Sequence, residues 1–121
     1  MGKTVILGAS NNPERFSFKA AVMLSRYGYD FVPVGLKKGR AGGKHILPIK
    51  ERPVIEDVDT ITLYLNPVNQ REYYNYIINL KPRRIIFNPG TENPELVGLA
   101  QQSAIETIED CTLIMLGSGI Y

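Results

Sequence analysis

VILGASNNPERFSFKAAVMLSRYGYDFVPVG, residues 5–35, is the stretch of sequence that decides the fold. It begins with an apolar run that ends at Gly8, passes through a polar loop, and then repeats apolar residues at three- and four-residue spacing up to Gly28. The spacing predicts an amphipathic helix from Ser17 to Tyr27, with one strand before it over residues 4–7 and another after it over residues 29–34. Residues 5–35 are therefore predicted to form a strand, a loop, a helix and a second strand.

The rest of the chain continues this alternation of short apolar runs and helical segments. Further strands are predicted over residues 59–65 and 84–87 and at Thr107 and Ile108, with a crossing segment over 45–54. Helices are predicted from Pro67, over residues 94–102 behind a cap at Asn93, and over the tail 111–116. This order is typical of an α/β fold, here a single Rossmann-like domain over residues 1–121 with a mostly parallel five-stranded sheet and helices on both faces.

Composition narrows the classes of protein to consider. At 121 residues and 44% hydrophobic, the chain has apolar side chains for one core. Its net charge of +2, from 14 basic and 12 acidic residues, lacks the basic excess of a nucleic-acid binder. Cys111 is the single cysteine, as is usual in a reducing compartment, and no run is long enough for a signal peptide or a membrane span. We expect a cytoplasmic protein with neither a nucleic-acid nor a membrane partner.

The loop after the first strand has the composition of an anion-binding loop. In open parallel sheets, ligands lie beyond the carboxyl ends of the strands. Small residues there let the backbone approach a phosphate, and the free N–H groups of the following helix attract anions. A tight turn with Ser17 as a helix cap is the alternative interpretation. The predicted ligand-binding residues of this segment are Gly8, Ala9, Ser10, Arg15, Phe16 and Ser17.

The end of the second strand helps to discriminate between cofactors. Sites that hold NAD through its ribose hydroxyls place an acid there, whereas this chain has Val34 and Gly35 followed by Lys37, Lys38 and Arg40. Basic side chains suit an additional phosphate on the adenosine ribose, as in coenzyme A or NADP. Lys37 is the strongest candidate for that contact, and a solvated basic loop is the alternative.

Two later loops should reach the same edge of the sheet. One contains Leu65, Asn66 and Pro67, and the other contains Asn88 and Gly90. They would line a slot for an adenine or a pantetheine arm, although turn formation alone would also explain their composition.

Residues for catalysis are scarce in the sequence. His45 has no carboxylate or cysteine at metal-ligand spacing, and Cys111 follows two acids that disfavour a thiolate. No acid and base pair stands out, so we expect a binding protein rather than an enzyme.

With these residues identified, the chain resembles the small stand-alone CoA-binding proteins, whose domain is similar to the CoA-binding domain of the succinyl-CoA synthetase alpha subunit. The resemblance is carried by residues 5–35, by DTITLYLNP at 59–67 and by the pair Asp110–Cys111. It implies that the loop after the first strand binds the CoA diphosphate and that Lys37 lies near the 3′-phosphate. The turn at Asn88 and the Gly35–Leu36 pair depart from the family pattern.

Three functions follow as hypotheses. The first is a protein that holds CoA or an acyl-CoA without chemistry of its own. The second is an NADP-dependent oxidoreductase, or a partner subunit of one, because the same phosphate contacts would serve NADP. The third is a scaffold or regulatory protein that has lost its ligand. The tyrosines on the helix after Pro67 and the apolar tail also leave room for a homodimer.

Overall fold

A computed structural model describes residues 2–121, and its main sheet consists of six parallel strands. The strands are β1 (Lys3–Leu7), β2 (Phe31–Gly35), β3 (Arg40–Ala41), β4 (Lys44–His45), β5 (Leu47–Pro48), β6 (Val58–Leu63), β7 (Arg84–Phe87) and β8 (Glu106–Glu109). The helices are α1 (Phe16–Arg26), α2 (Pro67–Gln70), α3 (Tyr74–Asn79), α4 (Pro94–Gln102) and α5 (Thr112–Gly117), with 3₁₀ turns at Ile49–Glu51 and Arg71–Tyr73. The sheet order is β5-β2-β1-β6-β7-β8, and every neighbouring pair is parallel.

This order confirms the predicted α/β, Rossmann-like fold, but the predicted count of five strands is one too few. The additional strand is β5, whose two residues pair with Val34 and Gly35 at the edge of the sheet. So short a strand, ending in a proline that cannot donate a ladder hydrogen bond, leaves no alternating pattern in the sequence. The basic loop also contains the antiparallel pair β3–β4, which turns through Gly42 and Gly43 at positive φ.

The predicted helix after Pro67 is interrupted by a 3₁₀ turn. A 3₁₀ turn has three residues per turn, so side chains three positions apart lie on one face. Gln70, Tyr73 and Tyr76 follow this spacing and are all buried. These three side chains, one polar and two aromatic, therefore form the buried face of the segment that runs from α2 through the 3₁₀ turn into α3.

Each face of the sheet has its own hydrophobic core. Val5 and Leu7 of β1 belong to one core, with side chains from α3 and α4, whereas Ile6 belongs to the other, with side chains from α1 and α5. This separation follows from the alternation of side chains along a strand. Helices thus cover both faces, as predicted, and within residues 2–121 no helix has the length and apolar character needed to cross a membrane.

The amino end of the sheet carries an ion pair that gives stability a small pH dependence. Arg83 Nε donates to Asp59 Oδ1 at 2.8 Å, and this hydrogen bond lowers the pKa of Asp59. A lowered folded-state pKa stabilises the protein above the unfolded value, about 3.9, and the benefit is lost as the pH falls through the folded value.

We expect Asp59→Asn to lower the free energy of unfolding by about 0.2–1 kcal/mol at pH 7, because the pair is partly exposed. The difference from wild type should shrink at pH 3 in urea unfolding. Glu56→Gln, at an exposed acid nearby, is the control and should have no comparable effect. A deficit in Asp59→Asn that does not change with pH would contradict the assignment.

Candidate functional site

A cavity of about 450 Å³ lies at the carboxyl ends of the central strands. The connections from β1 and β6 leave in opposite directions along the sheet, which is where ligands bind in open α/β folds. The walls come from the loops that follow β1, β2, β6 and β7. They consist of Gly8, Ala9, Ser10, Asn11, Asn12, Arg15, Phe16, Ser17, Leu36, Lys37, Tyr64, Leu65, Asn66, Pro89, Gly90 and Thr91.

The loop after β1 is held against the end of β2 by its backbone. The N–H groups of Gly8 and Ala9 both donate to the carbonyl oxygen of Val34 at 2.9 Å. These two N–H groups are therefore occupied, and the small size of their residues is what opens the cavity wall. Gly8 also has a φ of +100°, which favours glycine.

The first turn of α1 supplies the available backbone donors. In the described part of the chain, the N–H groups of Phe16 and Ser17 have no hydrogen-bond acceptor, as is general for the first turn of a helix. Such groups and the helix dipole together attract an anion. Arg15 precedes this turn, and its guanidinium forms no ion pair with residues 2–121.

Lys37 contributes a second positive charge to the cavity lining. Lys37 is exposed and has no salt-bridge partner among the described residues. A neighbouring cavity of about 390 Å³ shares Leu36 and Lys37 with the first and extends toward His45 and Ile46. Arg15 and Lys37 therefore both line the first cavity, and Lys37 also lines the neighbouring one.

Apolar surface accompanies these charges. Phe16 and Leu36 line the cavity, yet their exposed fractions are 65% and 63%. Large apolar side chains left this open to solvent suit a planar or aliphatic part of a ligand. The cavity thus offers anion-binding groups beside apolar walls.

The structure brings most of the predicted site residues together. Those that line the cavity are Gly8, Ala9, Ser10, Arg15, Phe16, Ser17, Lys37, Leu65, Asn66 and Gly90. Val34, Gly35, Pro67 and Asn88 do not line it. The carbonyl oxygen of Val34 accepts the hydrogen bonds that hold the loop after β1. Pro67 occupies the first turn of α2, where N–H groups have no partner within the helix, so the missing N–H of proline does not destabilise the helix.

Gly35 allows the loop after β1, which forms one wall of the cavity, to approach the end of β2 closely. A Cβ added to it would lie 2.1 Å from the carbonyl oxygen of Ala9. The residue therefore makes room for the loop after β1, and this close approach of two backbones explains the glycine at the end of β2 better than a ligand contact does.

Asn88 is buried below the cavity, with 2% of its surface exposed. Its Nδ2 donates to Thr62 Oγ1 at 2.8 Å and to the carbonyl oxygen of Leu63 at 2.9 Å, and its Oδ1 accepts from the N–H of Thr112 at 2.9 Å. The side chain is fully used in joining β7 to β6 and to the start of α5. Asn88 therefore has a structural role and does not line the cavity, and its predicted ligand contact stays a prediction.

Several lining residues were not predicted, namely Asn11, Asn12, Leu36, Tyr64, Pro89 and Thr91. Each lies within two positions of a predicted residue, so the sequence identifies the loops but not the full extent of the lining. Asn11 also joins two loops, because its Nδ2 donates to the carbonyl oxygen of Lys38 at 3.1 Å. Burial raises the pKa of Tyr64 to about 12, so its phenol is neutral at physiological pH.

Groups for metal binding or nucleophilic catalysis are not assembled at this site. Nowhere in residues 2–121 do three His, Cys, Asp or Glu side chains gather as metal ligands. Cys111 is partly buried before the first turn of α5 and does not line the cavity. The groups that face the cavity are suited to binding.

The sequence of this chain matches one known protein family. The family model described as CoA binding domain matches residues 2–117. The chain belongs to the CoA-binding domain family. None of the curated proteins matches it.

Solved structures of other proteins show the same fold. An uncharacterized protein is 53% identical with a TM-score of 0.95, covering 100% of this chain and 98% of that one. Cell-free ID.343 from Thermus thermophilus is 19% identical with a TM-score of 0.85, covering 99% and 90%. A hypothetical protein from Pyrococcus horikoshii OT3 is 21% identical with a TM-score of 0.80, covering 97% and 82%. At these lower identities the likeness concerns the fold alone.

Proposed function

We propose that this protein binds coenzyme A or an acyl-CoA in the cavity at the carboxyl ends of β1 and β6. The observation that carries the proposal is that one cavity is lined by the free N–H groups at the start of α1 and by two cations, Arg15 and Lys37, that form no salt bridge within residues 2–121. Membership of the CoA-binding domain family agrees with it. The protein acts by binding, with no catalytic residues of its own.

The proposed arrangement assigns one phosphate group to each cation. The diphosphate would lie at the first turn of α1 beside Arg15, where N–H donors and the helix dipole favour negative charge. The 3′-phosphate would lie at Lys37, and Phe16 and Leu36 would contact the adenine. The pantetheine arm would then run past Leu65 and Asn66 toward Gly90.

Isothermal titration with CoA tests the proposal. Two variants distinguish the contact with the diphosphate from the contact with the 3′-phosphate. Arg15→Ala should weaken CoA and dephospho-CoA alike, and Lys37→Ala should weaken CoA alone, each by about 1 to 3 kcal/mol because a charge-assisted contact is lost. Arg26→Ala removes the same charge at the other end of α1 and is the control, for which we expect unchanged affinity.

Other outcomes would change the assignment. A folded protein that binds no CoA at near-millimolar concentration would overturn it and favour a scaffold that has lost its ligand. Saturable binding of NADPH without binding of CoA would favour the oxidoreductase alternative, since the same cations suit a 2′-phosphate. A ligand that copurifies with the protein, identified by mass spectrometry, would test occupancy in the cell.

A further inference from the structure

Gln70 is a buried polar residue that the proposed CoA contacts do not use. It is the last residue of α2 and is 0% exposed. Its Nε2 donates to the carbonyl oxygen of Leu65 at 2.8 Å and to that of Thr91 at 2.8 Å. Its Oε1 accepts from Asn93 Nδ2 at 2.8 Å. Both amide hydrogens and the amide oxygen therefore have partners.

The two carbonyls belong to different walls of the cavity. Leu65 lies in the loop after β6 and Thr91 in the loop after β7. The ladder between these strands ends at Leu63 and Phe87, and no backbone hydrogen bond joins residues 64–66 to residues 89–91. Beyond the end of the ladder, the two hydrogen bonds donated by the Gln70 amide connect the two loops.

Asn93 fixes the orientation of the Gln70 amide. Asn93 Nδ2 also donates to the hydroxyl of Tyr74, while its Oδ1 accepts from the first N–H groups of α4. Because Asn93 presents a donor, the Gln70 oxygen must face it, and the Gln70 NH₂ group must face the two carbonyls. A carboxylate of the same shape would meet those carbonyls with acceptors instead of donors.

We propose that Gln70 is a positioning residue that sets the separation of the loops after β6 and β7, and through it the affinity of the cavity for CoA. The effect on CoA rests on the proposed function, whereas the effect on the loops does not. Side chains behind a binding surface hold it in its productive geometry in this way.

Hydrogen exchange of the ligand-free protein tests the positioning step. Gln70→Met keeps the length of the side chain and removes its polar atoms, and Gln70→Glu keeps the shape but removes the donors. Either variant should raise the exchange rates of the hydrogen-bonded amides of Tyr64, Gly90 and Thr91 by about tenfold or more, because the two loops lose the hydrogen bonds that join them. Exchange within α1 should not change.

Two matched controls separate positioning from loss of stability. Ile105→Ala truncates a buried side chain outside both loops, so it should lower global stability without selective exchange at Tyr64, Gly90 and Thr91. Gln102→Leu changes an exposed glutamine and should behave as wild type. Equal exchange in Gln70→Met, Gln70→Glu and Ile105→Ala would overturn the proposal.

The effect of each substitution on CoA affinity is measured under conditions where the variant is folded. The Gln70 variants should bind CoA about five- to thirty-fold more weakly than wild type, and Ile105→Ala should bind as wild type does. If wild type binds no CoA, the proposed function fails while the exchange data still decide the positioning role. Selective loop exchange with unchanged CoA affinity would overturn the link to binding.

Discussion

Gly35→Ala should lower the free energy of unfolding by about 3 kcal/mol or more and abolish ligand binding, because overpacking against backbone cannot be relieved by a rotamer change. The added Cβ would lie 2.1 Å from the carbonyl oxygen and 3.0 Å from the carbonyl carbon of Ala9. The loop after β1 must then shift, which breaks the hydrogen bonds from Gly8 and Ala9 to Val34. Urea unfolding measures the stability, and titration with CoA measures the site.

The control is a glycine where the same change meets no obstacle. Gly98 lies inside α4, and an added Cβ would have no heavy atom within 4 Å. Gly98→Ala should therefore leave binding unchanged and raise stability by about 0.5–1 kcal/mol, since alanine is the better helix former. A Gly35→Ala variant that unfolds at the same urea concentration as wild type would show that the close approach is not rigid.

Asn88→Ala should lower the free energy of unfolding by about 2 to 5 kcal/mol, because buried groups left without partners each cost about 1–3 kcal/mol. The substitution strands the N–H of Thr112 and removes a donor from the carbonyl of Leu63 and the hydroxyl of Thr62. Since Thr112 begins α5, exchange of the α5 amides should rise together with the loss of global stability. Urea unfolding and hydrogen exchange measure the two effects.

Two further variants sharpen this prediction. Asn88→Asp keeps an acceptor for Thr112 but loses both donors and adds a buried charge, so we expect it to be at least as destabilised as the alanine variant. Asn75→Ala changes an exposed asparagine on α3 and should stay within about 0.5 kcal/mol of wild type. A change of that small size in Asn88→Ala would contradict the network.

The strand, loop and helix of residues 3–26 could be predicted because their signals are local. Apolar residues in β1, small residues after it and three- to four-residue spacing in α1 lie within one window of sequence. The same holds for Asn93, whose side chain caps the helix that begins one residue later. The position of the cavity followed as well, since the carboxyl ends of parallel strands meet at one edge.

The sequence by itself determined the α/β alternation, the loop of small residues after β1 and the basic segment after β2, because each depends on neighbours along the chain. Only the tertiary structure decided that β5 completes a sixth strand, that Gly35 makes room for Ala9, and that the amides of Asn88 and Gln70 join loops. These features depend on contacts between residues that are distant along the chain, such as Val34 with Leu47, Asn88 with Thr62 and Gln70 with Thr91. Composition and spacing describe the partners separately, and folding is what brings them within hydrogen-bonding distance.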